Sequence, residues 1–169
     1  EQTVQGHDAV VLKFYRPARW TDAQILEEHE FAHELAQAEV PMVAPLLLEG
    51  QSLHHHNGFA FSVSPRRGGR PPELDDFEVL EWTGRLLARL HDVGARKPFA
   101  CRPALTIETF GATPMNWLLE NDAVTPGQRA EWERTCRQML EMVAAPATLT
   151  GKETAERPIR HIRLHGDCH

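Results

Sequence analysis

Lys13, Glu28 and Asp167 are the residues whose charge and placement suggest chemistry. Lys13 stands inside the apolar run 9–15, Ala-Val-Val-Leu-Lys-Phe-Tyr, and its ammonium is a compact point charge suited to a phosphate oxygen. Glu28 lies fifteen positions on, in a segment with helical periodicity, and a carboxylate there can fix the ammonium. Alone, such a pair serves equally well as a structural ion pair between strand and helix. Asp167, in His165-Gly166-Asp167, follows a strand-like stretch, where an aspartate can meet a hydroxyl and take its proton. The same aspartate could instead cap a helix, with His165 packed in a core.

The elements that must position these groups are legible in the patterning. Residues 9–15 are β-branched and aromatic, which reads as a strand with Val11, Lys13 and Tyr15 on one face and Val10, Leu12 and Phe14 on the other. Pro17 ends it. A helix is predicted from Thr21, with Thr21 and Gln24 as a capping box. Its apolar arc gathers Ile25, Phe31, Ala32, Leu35 and Ala36, with Glu28 at the centre; Glu27, Glu30 and Glu34 fall on the opposite side, where a solvated face is expected. A buried Glu28 needs a cation. The helix stops before Val40-Pro41.

Asn57-Gly58 between apolar segments predicts a tight hairpin, and 65–72 reads as a linker between two lobes. Asp75 or Asp76 caps a further helix with Phe77, Leu80, Gly84, Leu87 and His91 on its buried stripe and Gly94 as C-cap; Gly84 there predicts a close helix crossing. Loops are predicted around Pro98, Pro103 and Pro114. Thr125-Pro126-Gly127-Gln128 opens a last helix with Trp132, Cys136, Met139 and Val143 on one face, closed by Pro146; Ile159–Leu164 alternates like a strand.

Composition narrows the classes. The chain has 169 residues, of which 41% are hydrophobic and 25% charged, the profile of an ordinary globular domain. Its formal charge of −6 argues against nucleic acid as a partner. There is no apolar run of the ~20 residues that cross a bilayer. Three cysteines without a CxxC suit a reducing, cytoplasmic setting. A start on Glu1 and a stop on the polar run ending at His169 lead us to expect a piece of a longer protein.

Lysine strand, glutamate helix, hairpin, linker, helices and then His-x-Asp is the order of a bilobal kinase. The segments Leu12–Trp20, Gln24–Leu35, Val40-Pro41, Gly68-Gly-Arg70, Gly84–His91 and Leu164–His169 resemble the bacterial stress response kinase A family, within the aminoglycoside phosphotransferase/choline kinase-like superfamily. The resemblance covers nearly the whole chain and is weakest over 95–158. It implies an α+β, protein kinase-like bilobal fold, here partial: 1–65 as an N-lobe incomplete at its start and ending in the hinge, 66–169 as a helical C-lobe reaching the catalytic loop. It implies that Lys13 holds ATP phosphates and Glu28 pairs with it, that Ser62-Val63-Ser64 is the hinge offering backbone groups to adenine, that Asp167 is the catalytic base, and that His165 and His169 shape its loop. It further implies ATP and Mg²⁺ as cofactors and a protein Ser/Thr hydroxyl as substrate, in stress response. The Mg²⁺ ligands, an Asn five residues after the base and a later Asp, would lie beyond His169, so no metal ligand is expected within this chain. Gly166 stands where many protein kinases carry an Arg that reads activation-loop phosphate, so the parent is expected not to depend on such phosphorylation.

Other readings remain open at this stage: a small-molecule kinase for an aminoglycoside, choline or homoserine, or a pseudokinase binding module. A metal-hydrolase cluster of His165, Asp167 and His169 would leave Lys13 and Glu28 without a role. His54-His-His56 alternates across a strand and does not converge readily on one ion. Cys168 reads as a small loop residue, and Arg66, Arg67 and Arg70 as either a solubilising linker or a phosphate contact. The sequence is silent on oligomeric state.

Overall fold

The computed structural model describes residues 9–73, 75–144 and 161–166. Asp167, Cys168 and His169 lie outside the described residues, as do Pro146 and Ile159. Two compact units divide the chain: Glu1–Arg102 with His161–His169, and Pro103–Arg160.

The first unit begins with strand β1 (Val10–Tyr15), whose β-branched and aromatic residues favour extended backbone. Helix α1 (Asp22–Gln37) follows, and its start is the predicted capping box: the Thr21 hydroxyl accepts from the Gln24 backbone N–H, while the Gln24 side chain accepts from the Thr21 N–H. Strands β2 (His54–His56) and β3 (Phe59–Pro65) form the expected hairpin. Asn57 and Gly58 carry φ of 48° and 81°, the left-handed pair that a two-residue turn of matching twist demands. The antiparallel sheet runs in the order β1-β3-β2, with Lys13 opposite Ser62 and Val11 opposite Ser64.

Alternation places Lys13 and Tyr15 on the side of the sheet that meets α1, while Phe14 meets Phe61 on the other, ring centroids 5.7 Å apart. One apolar cluster, Tyr15, Ile25 and Leu53 flanked by Trp20 and Ala60, joins the sheet to the first half of α1. A second joins its later half to helix α2 (Phe77–Gly94) through Phe31, Leu35, Val40, Leu90 and Val93. Helix α2 lies beyond the predicted 65–72 linker, whose first residue, Pro65, ends β3, yet it packs in the same unit.

Asp76 is the N-cap of α2, as expected, but the buried stripe is not the expected one. Phe77 and Leu80 are exposed, as are Gly84 and His91; burial falls on Leu90, Val93 and Gly94 at the C-terminal end. The close approach therefore occurs at Gly94. A Cβ there would stand 2.2 Å from the Arg163 carbonyl oxygen, whereas one on Gly84 meets nothing. The helix also continues through Gly94, and Ala95 is its C-cap. Around 161–166 no strand forms; Arg163 N–H instead donates to the Gly94 carbonyl at 3.2 Å.

The second unit has a π-helical turn (Glu108–Ala112) running into α3 (Thr113–Glu120), then α4 (Arg129–Ala144). Pro114 sits in the first turn of α3 and not in a loop, because that position needs no N–H donor. Met115 and Leu119 are buried; of the α4 stripe, Trp132 and Cys136 are half-buried while Met139 and Val143 remain exposed.

These glycines give a sharp contrast. Gly94→Ala is expected to lower unfolding stability by ~1–3 kcal/mol, the scale of overpacking against backbone, while Gly84→Ala raises it by up to ~1 kcal/mol through helix propensity. Urea denaturation of both variants checks the pair.

Candidate active site

The candidate site is built where β1 faces the first half of α1. Lys13 Nζ lies 2.8 Å from Glu28 Oε1, so the two charged residues singled out from sequence meet. The Lys13 ammonium also stands over the Tyr15 ring, 4.9 Å from its centroid. Burial pulls the Lys13 pKa down, but the hydrogen bond and charge of Glu28, with Tyr15 adding to them, outweigh it and hold the group above the ordinary lysine value. Burial likewise pushes the Glu28 carboxyl up, and the Lys13 hydrogen bond and charge, then the Arg102 guanidinium, bring it net below the usual carboxylate range. Both groups are thus charged at neutral pH. With 55% of its side chain exposed, Lys13 keeps an open side from which an ammonium can donate to an anionic oxygen.

Glu28 has a second cationic partner that sequence reasoning missed. Arg102 Nη1 lies 2.8 Å from Glu28 Oε2. The guanidinium also donates to the Gln24 carbonyl at 3.2 Å and stacks over the Trp20 ring at 4.6 Å. Its loop is anchored on the neighbouring residue: Glu27 accepts the backbone N–H of Ala100, Cys101 and Arg102. The expected solvated face of α1 is therefore largely engaged. Lys97 bridges Glu30 and Glu34, both at 2.7 Å, and Arg163 reaches Glu34 at 2.6 Å. Acidic residues suited to water suit such cross-links equally well, which is why patterning alone misplaced them.

Behind the ion pair lies a buried polar chain. Tyr15 Oη is 2.7 Å from His29 Nε2 and 3.3 Å from the Ser62 hydroxyl, and His29 Nδ1 is 2.9 Å from the Ser52 hydroxyl. Burial is the main force that lowers the His29 pKa to about 4; Glu28 opposes it, and the charges of Lys13 and His33 add to it. His29 is neutral in the fold, its ring held at both nitrogens. Its position, next to Glu28 on the helix, was the available signal.

Ser62 is buried and its hydroxyl is committed to Tyr15. Arg66 N–H donates to the Ala9 carbonyl, and bonded pairs recur at every second residue of an antiparallel ladder, so the main chains of Ser62 and Ser64 turn toward Lys13 and Val11. The ladder thus already uses the backbone groups that the hinge reading reserved for adenine. His165 is exposed, and Gly166 takes a φ of 80°. The segment leading to them is held by Arg163, whose buried guanidinium meets Glu34, the Val93 carbonyl at 3.1 Å and the face of Phe31 at 4.4 Å. Sequence reasoning passed over this arginine. Asp167 and His169 lie outside the described residues. His54 rests against Phe61 at 5.5 Å while His55 pairs with Asp22 at 3.2 Å, and among the described residues no three His, Cys, Asp or Glu side chains form a metal site.

A strand lysine paired with a helix glutamate is an arrangement that kinases use to hold nucleotide phosphates. The chain belongs to the phosphotransferase enzyme family, whose model matches residues 2–169. Its small antiparallel sheet and helices are those of a partial kinase-like domain of this family. It is 39% identical over 160 residues to stress response kinase A of Salmonella typhi, an overlap of 94% of this chain and 46% of that protein. The figures are the same for the serine/threonine protein kinase RdoA of Salmonella typhimurium. Stress response kinase A of Escherichia coli K12 is 37% identical over 159 residues, again 94% of this chain and 46% of that protein. The chain spans about half the length of the curated relatives it matches. No helix among the described residues is long and apolar enough to cross a membrane.

The neutral His29 sets a pH dependence. Its folded pKa of about 4 lies below the ordinary 6.5, so the unfolded chain takes up the proton first. Stability is full above about pH 6.5 and declines as pH falls toward 4, by at most ~3 kcal/mol from this residue. Chemical denaturation at stepped pH should show this slope, and His29→Asn should flatten it.

Proposed function

We propose that the whole protein transfers the γ-phosphoryl group of ATP to a Ser/Thr hydroxyl of a protein substrate, as a cytoplasmic kinase of the bacterial stress response. The observation that carries this reading is the 2.8 Å contact of Lys13 Nζ with Glu28 Oε1. A lysine fixed by a carboxylate, with an open side toward solvent, is an anchor for nucleotide phosphates. The serine/threonine specificity is supported by the name of the relative RdoA.

In this reading residues 1–65 belong to the N-lobe and the chain from 66 on to the C-lobe. Lys13 positions phosphate and Glu28 positions Lys13. The hinge role passes from Ser62 and Ser64 to the stretch that follows Arg66, past the end of the ladder, while Ser62 supports the Tyr15–His29 chain from behind. Asp167 accepts the proton of the attacking hydroxyl as its oxygen bonds to the γ-phosphorus; the bond from that phosphorus to the β–γ bridging oxygen breaks, and ADP leaves. His165 and His169 shape the loop around the base. Mg²⁺ would neutralise charge on the β- and γ-phosphates, held by ligands expected beyond His169.

Two substitutions in the full-length protein test the assignment. Lys13→Ala should weaken ATP use with the melting temperature little changed, because the side chain is half-exposed. Asp167→Ala should lower turnover by at least ~10²-fold while ATP still binds. Phosphate transfer from labelled ATP to a generic protein substrate, with amino alcohols as the competing acceptors, reads both. Normal turnover by Asp167→Ala would remove Asp167 as the base, and transfer confined to amino alcohols would move the enzyme to the small-molecule class. Residues 1–169 alone should not turn over ATP with Mg²⁺.

A further inference from the structure

We propose that Arg102 is a positioning residue of the nucleotide site: it holds the second oxygen of Glu28 so that Glu28 presents the first to Lys13 whether or not nucleotide is bound. The proposal rests on the kinase reading above and names what keeps its ion pair in place.

The geometry divides one carboxylate between two cations. Oε1 accepts from Lys13 Nζ and Oε2 from Arg102 Nη1, each at 2.8 Å. A glutamate side chain held at one oxygen can still rotate about its terminal bonds; held at both it cannot swing away from β1. The arginine is itself restrained on three sides. Its guanidinium lies over Trp20, its Nη1 also donates to the Gln24 carbonyl, and its backbone N–H is tied to Glu27 at 2.9 Å. Only a fifth of its side chain is exposed, against more than half of Lys13's. Arg102 is thus the fixed member of the triad, and Lys13 the member open to a phosphate.

The loop that carries Arg102 is itself fastened to the helix. Glu27 gathers three consecutive backbone N–H groups of residues 100–102, and burial, which would raise its pKa, is outweighed by those hydrogen bonds. Gln24 adds a bond from its Nε2 to the Cys101 carbonyl at 3.0 Å. Gln24 and Glu27, one helical turn apart, therefore clamp one loop, and the loop returns the arginine to Glu28. A helix glutamate fastened in this way needs no charge delivered from elsewhere to bring it to the lysine.

A double-mutant cycle on the full-length protein tests the assignment, with ATP affinity in the presence of Mg²⁺ measured by calorimetric titration. Arg102→Gln should weaken ATP binding about tenfold, the scale of one charge-assisted hydrogen bond, and Arg102→Lys should recover part of the loss. In a Glu28→Gln background the same Arg102→Gln change should cost less than about twofold, because its route to Lys13 is already cut. Equal losses in both backgrounds, or no loss in either, would overturn the proposal: a purely structural arginine acts regardless of Glu28. Should Arg102→Gln fail to melt cooperatively, Arg102→Lys runs the same cycle, with a loss smaller than about tenfold expected in the Glu28 background and none in the Glu28→Gln background; equal effects in both overturn the proposal. Lys13→Met is measured in parallel. If it leaves ATP binding intact, the kinase site and this proposal both fall; if it weakens binding while Arg102 behaves additively, only the role of Arg102 falls.

Discussion

A carboxylate turned toward a sheet from the inward face of a helix is tolerable only when its charge is met, and Glu28 meets it twice. Much of the first unit can be understood as the scaffolding of that arrangement. The capping box fixes where α1 starts, and so which residues face β1. Ladder pairing with β3 fixes the face on which Lys13 emerges. The loop at 100–102 brings the second cation. Without the ladder or the loop, Glu28 would keep only one of its two cations.

Beneath the ion pair the polar chain Ser52–His29–Tyr15–Ser62 does related work without net charge. Every member is buried and hydrogen-bonded, so the chain is rigid where a purely apolar layer would leave the helix free to turn. Tyr15 joins the two systems, giving its hydroxyl to His29 and its ring face to the Lys13 ammonium. The neutral state of His29 follows from its burial, and it keeps a second positive charge away from Lys13. At the other end of α1, Arg163 repeats the pattern of a cation from distant sequence on a helix glutamate, here fully enclosed among Phe31, Val93 and Gly94. One helix is thereby connected at its first half to the lysine strand and at its second to the segment that ends in His-Gly-Asp.

The comparison between pattern and fold is uneven in an instructive way. Helix α2 shows a regular apolar repeat from Phe77 to His91, yet only its C-terminal turn is buried, since periodicity tells which residues share a face but not whether anything covers it. Glycine misled for the same reason: Gly84 lies on the repeat but a Cβ there would meet nothing, whereas Gly94 admits a backbone that arrives from residue 163. The family resemblance implied a hinge at Ser62 and Ser64, and the strand ladder extends past them to Pro65.

What the amino-acid order determined unaided was local: the Thr21–Gln24 cap, the Asn57-Gly58 turn, the alternation along 10–15 and, from these, the meeting of Lys13 with Glu28. Those features depend on side-chain shape and hydrogen bonds within a few residues, or on a strand and helix joined by a short loop, so nearest-neighbour rules reach them. Tertiary structure alone decided that Arg102 shares Glu28 across 74 positions and that Arg163 reaches Glu34 across 129. Among many arginines and many glutamates, charge gives no preference for one pairing over another. The choice is made by the closure of loops around a packed helix, an energy that belongs to the whole unit and leaves no periodic mark on the chain.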